Sequence, residues 1–195
     1  MSGALKPVLI TMGDAAGIGP EIIAKAFREA PVDLADCVVV GDVATLRRAI
    51  GLTAAAAGTI ALPVARLDSL AAASSLPANC IGVLQKCELL ALMPYGLISG
   101  LAGQAAADCI VWAARAVLAG DAAAMVTAPI HKAALAAAGG WAARFPGHTE
   151  MLQAEAAAYL GKPVSDLPVR MMLANDELKT VLVRSTCRSG APSRP

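Results

Sequence analysis

Short, wholly apolar runs recur along this chain with stretches of helical periodicity between them, and this alternation limits the available folds more than any other feature. Pro7–Met12 is apolar and rich in β-branched residues. It leads through Gly13-Asp14-Ala15-Ala16-Gly17-Ile18-Gly19-Pro20 into Glu21–Ala30, where Ile22, Ile23, Ala26 and Phe27 share one side. Cys37–Val40 is a second run, closed by Gly41-Asp42 and followed by helical Val43–Ile50. Ala123–Thr127 is a third, broken by Ala128-Pro129. Ahead of it lies the Gly100–Ala119 helix, with an apolar face of Ile110, Val111, Ala114, Val117 and Leu118. A strand apolar at every position has no solvent face, so helices must cover both sides of its sheet. The expectation is an α/β fold with a largely parallel sheet.

The remaining segments fill in that pattern. Thr59–Val64 and Cys80–Leu84 are predicted strands, and Ala71–Pro77 is a loop or weak helix. Lys132–Ala138 and Thr149–Leu160 are predicted helices, stopped by Gly139-Gly140 and Gly161. Val169–Ala174 and Leu178–Val183 are predicted buried strands around an Asn175-Asp176-Glu177 turn. From Arg184 onward there is no periodicity, and a disordered tail is expected.

Composition narrows the function classes. The 195 residues are 57% hydrophobic, and 45 of them are alanine. No apolar run approaches the ~18–20 residues of a membrane-spanning helix, and Met1–Lys6 lacks a signal-peptide start. The expectation is a cytoplasmic protein with no membrane partner. Sixteen basic residues face 15 acidic ones, for a net charge of +1, and aromatics make up 3%. The longest basic block is Arg47-Arg48, so no nucleic-acid partner is expected. Five cysteines, an odd number without CxxC spacing, argue for reduced thiols rather than a disulfide framework or zinc knuckle.

Three segments are placed to carry chemistry. Gly13–Pro20 joins a strand to a helix N-terminus, where free N–H groups suit an anion. It is neither a dinucleotide-binding fingerprint, since Ile22 stands at the third glycine position, nor a Walker A loop. A structural tight turn and a ligand loop both remain open. Thr127-Ala128-Pro129-Ile130-His131-Lys132 carries a hydroxyl, an imidazole and an ammonium off a strand end, where open α/β sheets bind substrates. A solvated loop is the alternative. In Pro146-Gly147-His148-Thr149-Glu150, Thr149 is a candidate helix cap, Glu150 suits the first turn, and His148 precedes the cap. With only His131 and His148 in the chain, a complete three-ligand metal site is not visible.

Taken in order, Met12–Glu21, Thr127–Lys132 and Pro146–Glu150 closely resemble the 4-hydroxythreonine-4-phosphate dehydrogenase family of pyridoxal phosphate biosynthesis. Gly100–Ile110 resembles that family's substrate-side helix, and Val169–Val183 its following strand pair. The resemblance implies a two-lobed α/β/α fold like that of the isocitrate and isopropylmalate dehydrogenases. It also implies oxidation of a phosphorylated hydroxy acid by NAD or NADP, followed by decarboxylation. A divalent metal (zinc, magnesium, manganese or cobalt) would assist, in a homodimer. It makes His148 a metal ligand and thereby catalytic, and it puts Gln104 and Ala105 at the substrate phosphate. His131 and Lys132 are the further substrate-side candidates, and no NAD-contacting residue is identified. Ala15 stands where the family has proline, and Gln104 and Ala105 also depart from its pattern. Phosphorylated threonate, erythronate or an aromatic cis-dihydrodiol therefore compete as substrates. Two further functions fit the same residues: a phosphometabolite-binding module without catalysis, and an aldolase-type or phosphotransfer enzyme using Lys132.

The resemblance further implies a continuation beyond residue 195 that carries two more metal histidines and much of the NAD site. Where the family reads Ser/Thr-His-x-x-Leu-Arg, this chain has Ser185-Thr186-Cys187-Arg188-Ser189-Gly190. The genetic code allows a set of codons for these residues that, read from the third base, restores His-Met-Ser-Leu-Arg. The expectation is a frameshifted, truncated member. Its first lobe would be residues 1–125, its incomplete second lobe 126–184, and its tail 185–195.

Overall fold

The computed structural model describes residues 6–182. Five parallel strands form the central sheet: β1 (Val8–Thr11), β2 (Cys37–Gly41), β3 (Val64–Leu67), β4 (Ile81–Gln85) and β5 (Ala124–Thr127). Their spatial order is β3-β4-β2-β1-β5. The helices are α1 (Gly19–Glu29), α2 (Val43–Ala57), α3 (Gly100–Leu118), α4 (Lys132–Ala137) and α5 (His148–Tyr159). Right-handed crossovers determine which face each helix covers. The chain moves one way from β1 to β2 to β3, so α1 and α2 lie on one face and pack on each other. It moves the opposite way from β4 to β5, so α3 crosses the other face, against β1, β2 and β5. Helices α4 and α5 then pack on α3.

The expected double cover is present over β1, β2 and β4 but not over β5, an edge strand whose Ala124 and Val126 are exposed. Leu9, Val38, Val39, Val40 and Val83 are buried between the two helical layers. Alanine makes the layers thin: Ala102, Ala105, Ala106, Ala107, Ala113 and Ala114 of α3 are all buried. At Gly103 a Cβ would collide with the Ala134 carbonyl, so α4 rests directly on the backbone of α3. The 19-residue α3 is long and apolar enough to cross a membrane, with an 18-residue stretch of mean hydropathy 1.3, although 61% of that stretch is buried inside the protein. Pro20 opens α1, Asp42 caps α2 through the Thr45 N–H, and Ser99 caps α3 through the Ala102 N–H.

Several segments differ from the sequence expectation. Thr59–Pro63 is not a strand; β3 begins at Val64 and includes the charged Arg66. As an edge strand it needs no uniform apolar pattern. Helix α2 continues to Ala57, and Leu70–Ser75 is a 3-10 helix. The expected strand pair is present but shorter, as β6 (Met172–Ala174) and β7 (Lys179–Val181). It forms a separate antiparallel hairpin whose strand residues are all exposed, so the expectation of burial fails. Two strands without a covering helix leave both faces to solvent. Residue 126, where the second lobe was expected to begin, is the third residue of β5 and pairs with Ile10. The expected tail lies outside the described residues.

Candidate functional site

Parallel strands all end at one edge of the sheet, so the loops after β1, β2, β4 and β5 gather there. The first two motifs meet at that edge. The Asp14 N–H donates to the Pro129 carbonyl at 3.0 Å, and the Ala128 N–H to the Thr11 carbonyl at 3.1 Å. Gly13 has φ +75°, and a Cβ there would strike the Pro129 oxygen, so glycine is required for the two loops to touch. Asp14 is buried, and its Oδ1 accepts from the Ala16 N–H at 2.9 Å, which closes the turn. The turn is held from outside as well. Arg48 donates to the carbonyls of Ala15 (3.1 Å) and Met93 (2.6 Å), with its guanidinium 4.0 Å over the Tyr95 ring.

The second and third motifs also converge. Lys132 opens α4, and its Cε lies 3.8 Å from where a Cβ of Gly147 would stand. The ammonium arm therefore runs to the corner from which α5 starts. Thr149 is not the cap expected for that helix. Helix α5 begins one residue earlier, at His148, with Gly147 at the cap position and its carbonyl accepting from Met151. His148 thus sits in the first turn itself. Its Nε2 is buried without a hydrogen-bond partner, and burial pushes its pKa below the ordinary histidine value. A neutral imidazole with an unused ring nitrogen results. His131 is different: it is exposed, and its Nδ1 accepts from the Ala134 N–H at 3.3 Å, capping α4. Its Nδ1 lone pair is taken, so the neutral ring carries its proton on Nε2 and offers a donor.

Gln104 and Ala105 lie elsewhere along the same edge. They line a cavity of about 470 Å³ with Arg66, Gln85 and Lys86, and Gln104 Nε2 donates to Asp108 Oδ1 at 2.7 Å. This cavity is lined by β3, the exit of β4 and α3, and none of His131, Lys132 or His148 reaches it. Sequence reasoning missed Arg66 and Lys86. The available signal is position: Lys86 directly follows a parallel strand, as Asp42 does, but the predicted strand stops at Leu84, one residue short of the observed end.

For a divalent metal, His148 Nε2 has the right chemistry for one ligand. Among the described residues, however, no group of three histidine, cysteine or acidic side chains comes together. These residues do not complete a site.

The sequence matches the family of pyridoxal phosphate biosynthetic protein PdxA over residues 33–187. It is 41% identical to a 4-hydroxythreonine-4-phosphate dehydrogenase of Beijerinckia indica subsp. indica, over 93% of this chain and 48% of that protein. It is 35% identical to a D-threonate 4-phosphate dehydrogenase of Pectobacterium atrosepticum, over 91% and 50% respectively. The crystal structure of 4-hydroxythreonine-4-phosphate dehydrogenase from Klebsiella pneumoniae superposes with a TM-score of 0.72 at 35% identity, covering 90% of this chain and 50% of that one. The chain spans about half the length of the relatives it matches. On these matches and on the shared fold, this chain belongs to the pyridoxal phosphate biosynthetic protein PdxA family.

Proposed function

We propose that this chain supplies substrate-holding elements of a dehydrogenase for a phosphorylated hydroxy acid. The substrate would be of the 4-phosphohydroxy-L-threonine or D-threonate 4-phosphate type, and the enzyme a homodimer. The observation that carries this reading is the corner where Lys132 reaches the start of α5, a helix whose first-turn His148 has an unpartnered Nε2. An ammonium and the N-terminal N–H groups of a helix hold an anionic group. With the proton on Nδ1, the Nε2 lone pair of His148 is free to bind a divalent metal, and its lowered basicity keeps the ring in the neutral form that does so. His131 offers its Nε2 proton as a donor at the same rim. Gln104 and Ala105, the proposed phosphate contacts, line the cavity edged by Arg66 and Lys86, whose cations are offset by Glu88 and Asp108 on the same walls. A bound divalent metal supplies Lewis acidity, and bound NAD or NADP the hydride acceptor. Of the described residues, His148 would contribute to holding the metal.

The 195-residue chain, assayed with either substrate plus zinc or manganese, is expected to show negligible NAD reduction, because one imidazole does not hold a catalytic metal. The decisive test joins residues 1–182 to the C-terminal half of the Beijerinckia relative. That chimera is expected to reduce NAD or NADP in a metal-dependent way. His148→Ala is expected to lower its kcat/KM by about a hundredfold or more. A folded chimera silent on both substrates with both cofactors overturns the reading.

A further inference from the structure

The chain's two tryptophans, Trp112 in α3 and Trp141 beyond α4, line one cavity of about 460 Å³, and no role assigned above uses either. Lys86, Asp108, Arg115 and Glu155 form its polar walls. We propose that this cavity binds a planar nitrogen heterocycle of the aminopurine or aminopyrimidine type, with its ring against the indoles and its edge bonded to Lys86 and Asp108.

The fold fixes the aromatic walls. Gly139 and Gly140 have φ of +71° and +56°, and this left-handed pair carries the chain from α4 to Trp141. Phe145 braces the Trp141 ring edge-on, with centroids 6.3 Å apart and planes at 68°. Trp141 is still 38% exposed, so part of its indole is left to cover. Trp112 is half-buried, and the Lys86 Nζ stands 4.8 Å over its ring. Attraction to the indole face holds that ammonium at the cavity wall. Flat apolar walls with a few polar groups at their margin are the common make-up of a small-molecule site, and the volume falls within the usual range of roughly 300–1,000 Å³.

Charge narrows the ligand. Arg115 donates to Glu155 twice, Nε to Oε2 at 2.7 Å and Nη2 to Oε1 at 3.2 Å, so that pair is neutralised within the wall. Lys86 and Asp108 remain. Asp108 Oδ1 accepts from Gln104, and the rest of its carboxylate has room for another donor. A hydrocarbon ring would leave the ammonium and the carboxylate without partners. A multiply charged anion would meet Asp108 and Glu155. An aminopurine or aminopyrimidine is neutral, stacks on an indole through either face, and carries a ring-nitrogen acceptor beside an amino donor. Lys86 donates to the ring nitrogen, and Asp108 accepts from the amino group. Both side chains also line the Gln104 cavity, so an occupant would hold them away from it; that consequence alone rests on the proposed function.

The test titrates adenosine and, separately, cytidine into the full chain. It needs no turnover: it follows the two indole N–H resonances of isotope-labelled protein together with tryptophan emission. The expected result, for at least one nucleoside, is a saturable shift of both resonances with a single Kd below about 1 mM, absent from the urea-unfolded chain. The dimethylamino analogue of the bound nucleoside keeps the ring and loses the donor, and it is expected to bind about fivefold or more weakly. Trp141→Leu is expected to abolish saturation. Emission that falls linearly without saturating, for both nucleosides, overturns the proposal. So does a response confined to one indole, or equal affinity for the dimethylamino analogue. These wild-type outcomes decide the matter even if the leucine variant does not fold.

Discussion

Two residues make the site sensitive to small changes. Gly13 combines a left-handed φ with contact to the Pro129 carbonyl. Gly13→Ala is expected to cost about 1–3 kcal/mol for the backbone alone, read as a lowered urea midpoint. His148 gives a pH signature. Burial lowers its folded pKa, so the unfolded chain accepts a proton that the folded one resists. Stability is unaffected above the ordinary value of about 6.5 and is lost as pH falls from there toward the folded value. In chelator, His148→Gln is expected to flatten that part of the urea-midpoint profile between about pH 8 and pH 5; an unchanged slope would show that the imidazole is not desolvated. The Gly13 and Lys132 segments are legible in the sequence as local patterns at the ends of predicted strands, and the His148 segment as one at the start of a predicted helix. Arg66 and Lys86 are not, because they share a cavity only once β3 has paired with β4 and α3 has packed beside them. Thr149 misled because capping preference ranks residues one at a time, whereas the helix starts at His148 on a Gly147–Met151 bond.

At the scale of elements, the α3–α4 contact governs the second motif. Lys132 is the first residue of α4, and α4 rests on Gly103 without intervening side chains. Gly103→Val is expected to push the helices apart. It should lower stability by about 1–3 kcal/mol, with hydrogen exchange rising first in Lys132–Ala137. Protection lost uniformly would show that the contact is not local. The elements legible in advance were β1, β2, α1 and α3, which are buried on pattern, and β5, which was placed as a strand although as an edge it is half exposed. Those misjudged were at the margins: β3 at the sheet edge, and β6 and β7 outside the sheet. Edge and isolated strands are set by their neighbours rather than by their own periodicity.

For the whole molecule, the exposed hairpin sets behaviour in solution. Met172, Leu173, Leu178 and Val181 are each at least half exposed, and β5 leaves one sheet edge unpaired among the described residues. Such surfaces promote association. Sedimentation is expected to show concentration-dependent self-association that Leu173→Lys with Val181→Lys reduces; a monomer at all concentrations would contradict this. The bond from Asp14 to Pro129 also bears on how the molecule is made. During synthesis β1 can pair with β2 as soon as both emerge, but its other side waits for Ala124–Thr127. Until that strand arrives, the loop after β1 has no Pro129 to receive it. The binding edge is therefore assembled last, in a slow step set by long-range closure. A nascent chain stalled before β5 would carry folded helices, an open β1 edge and no site.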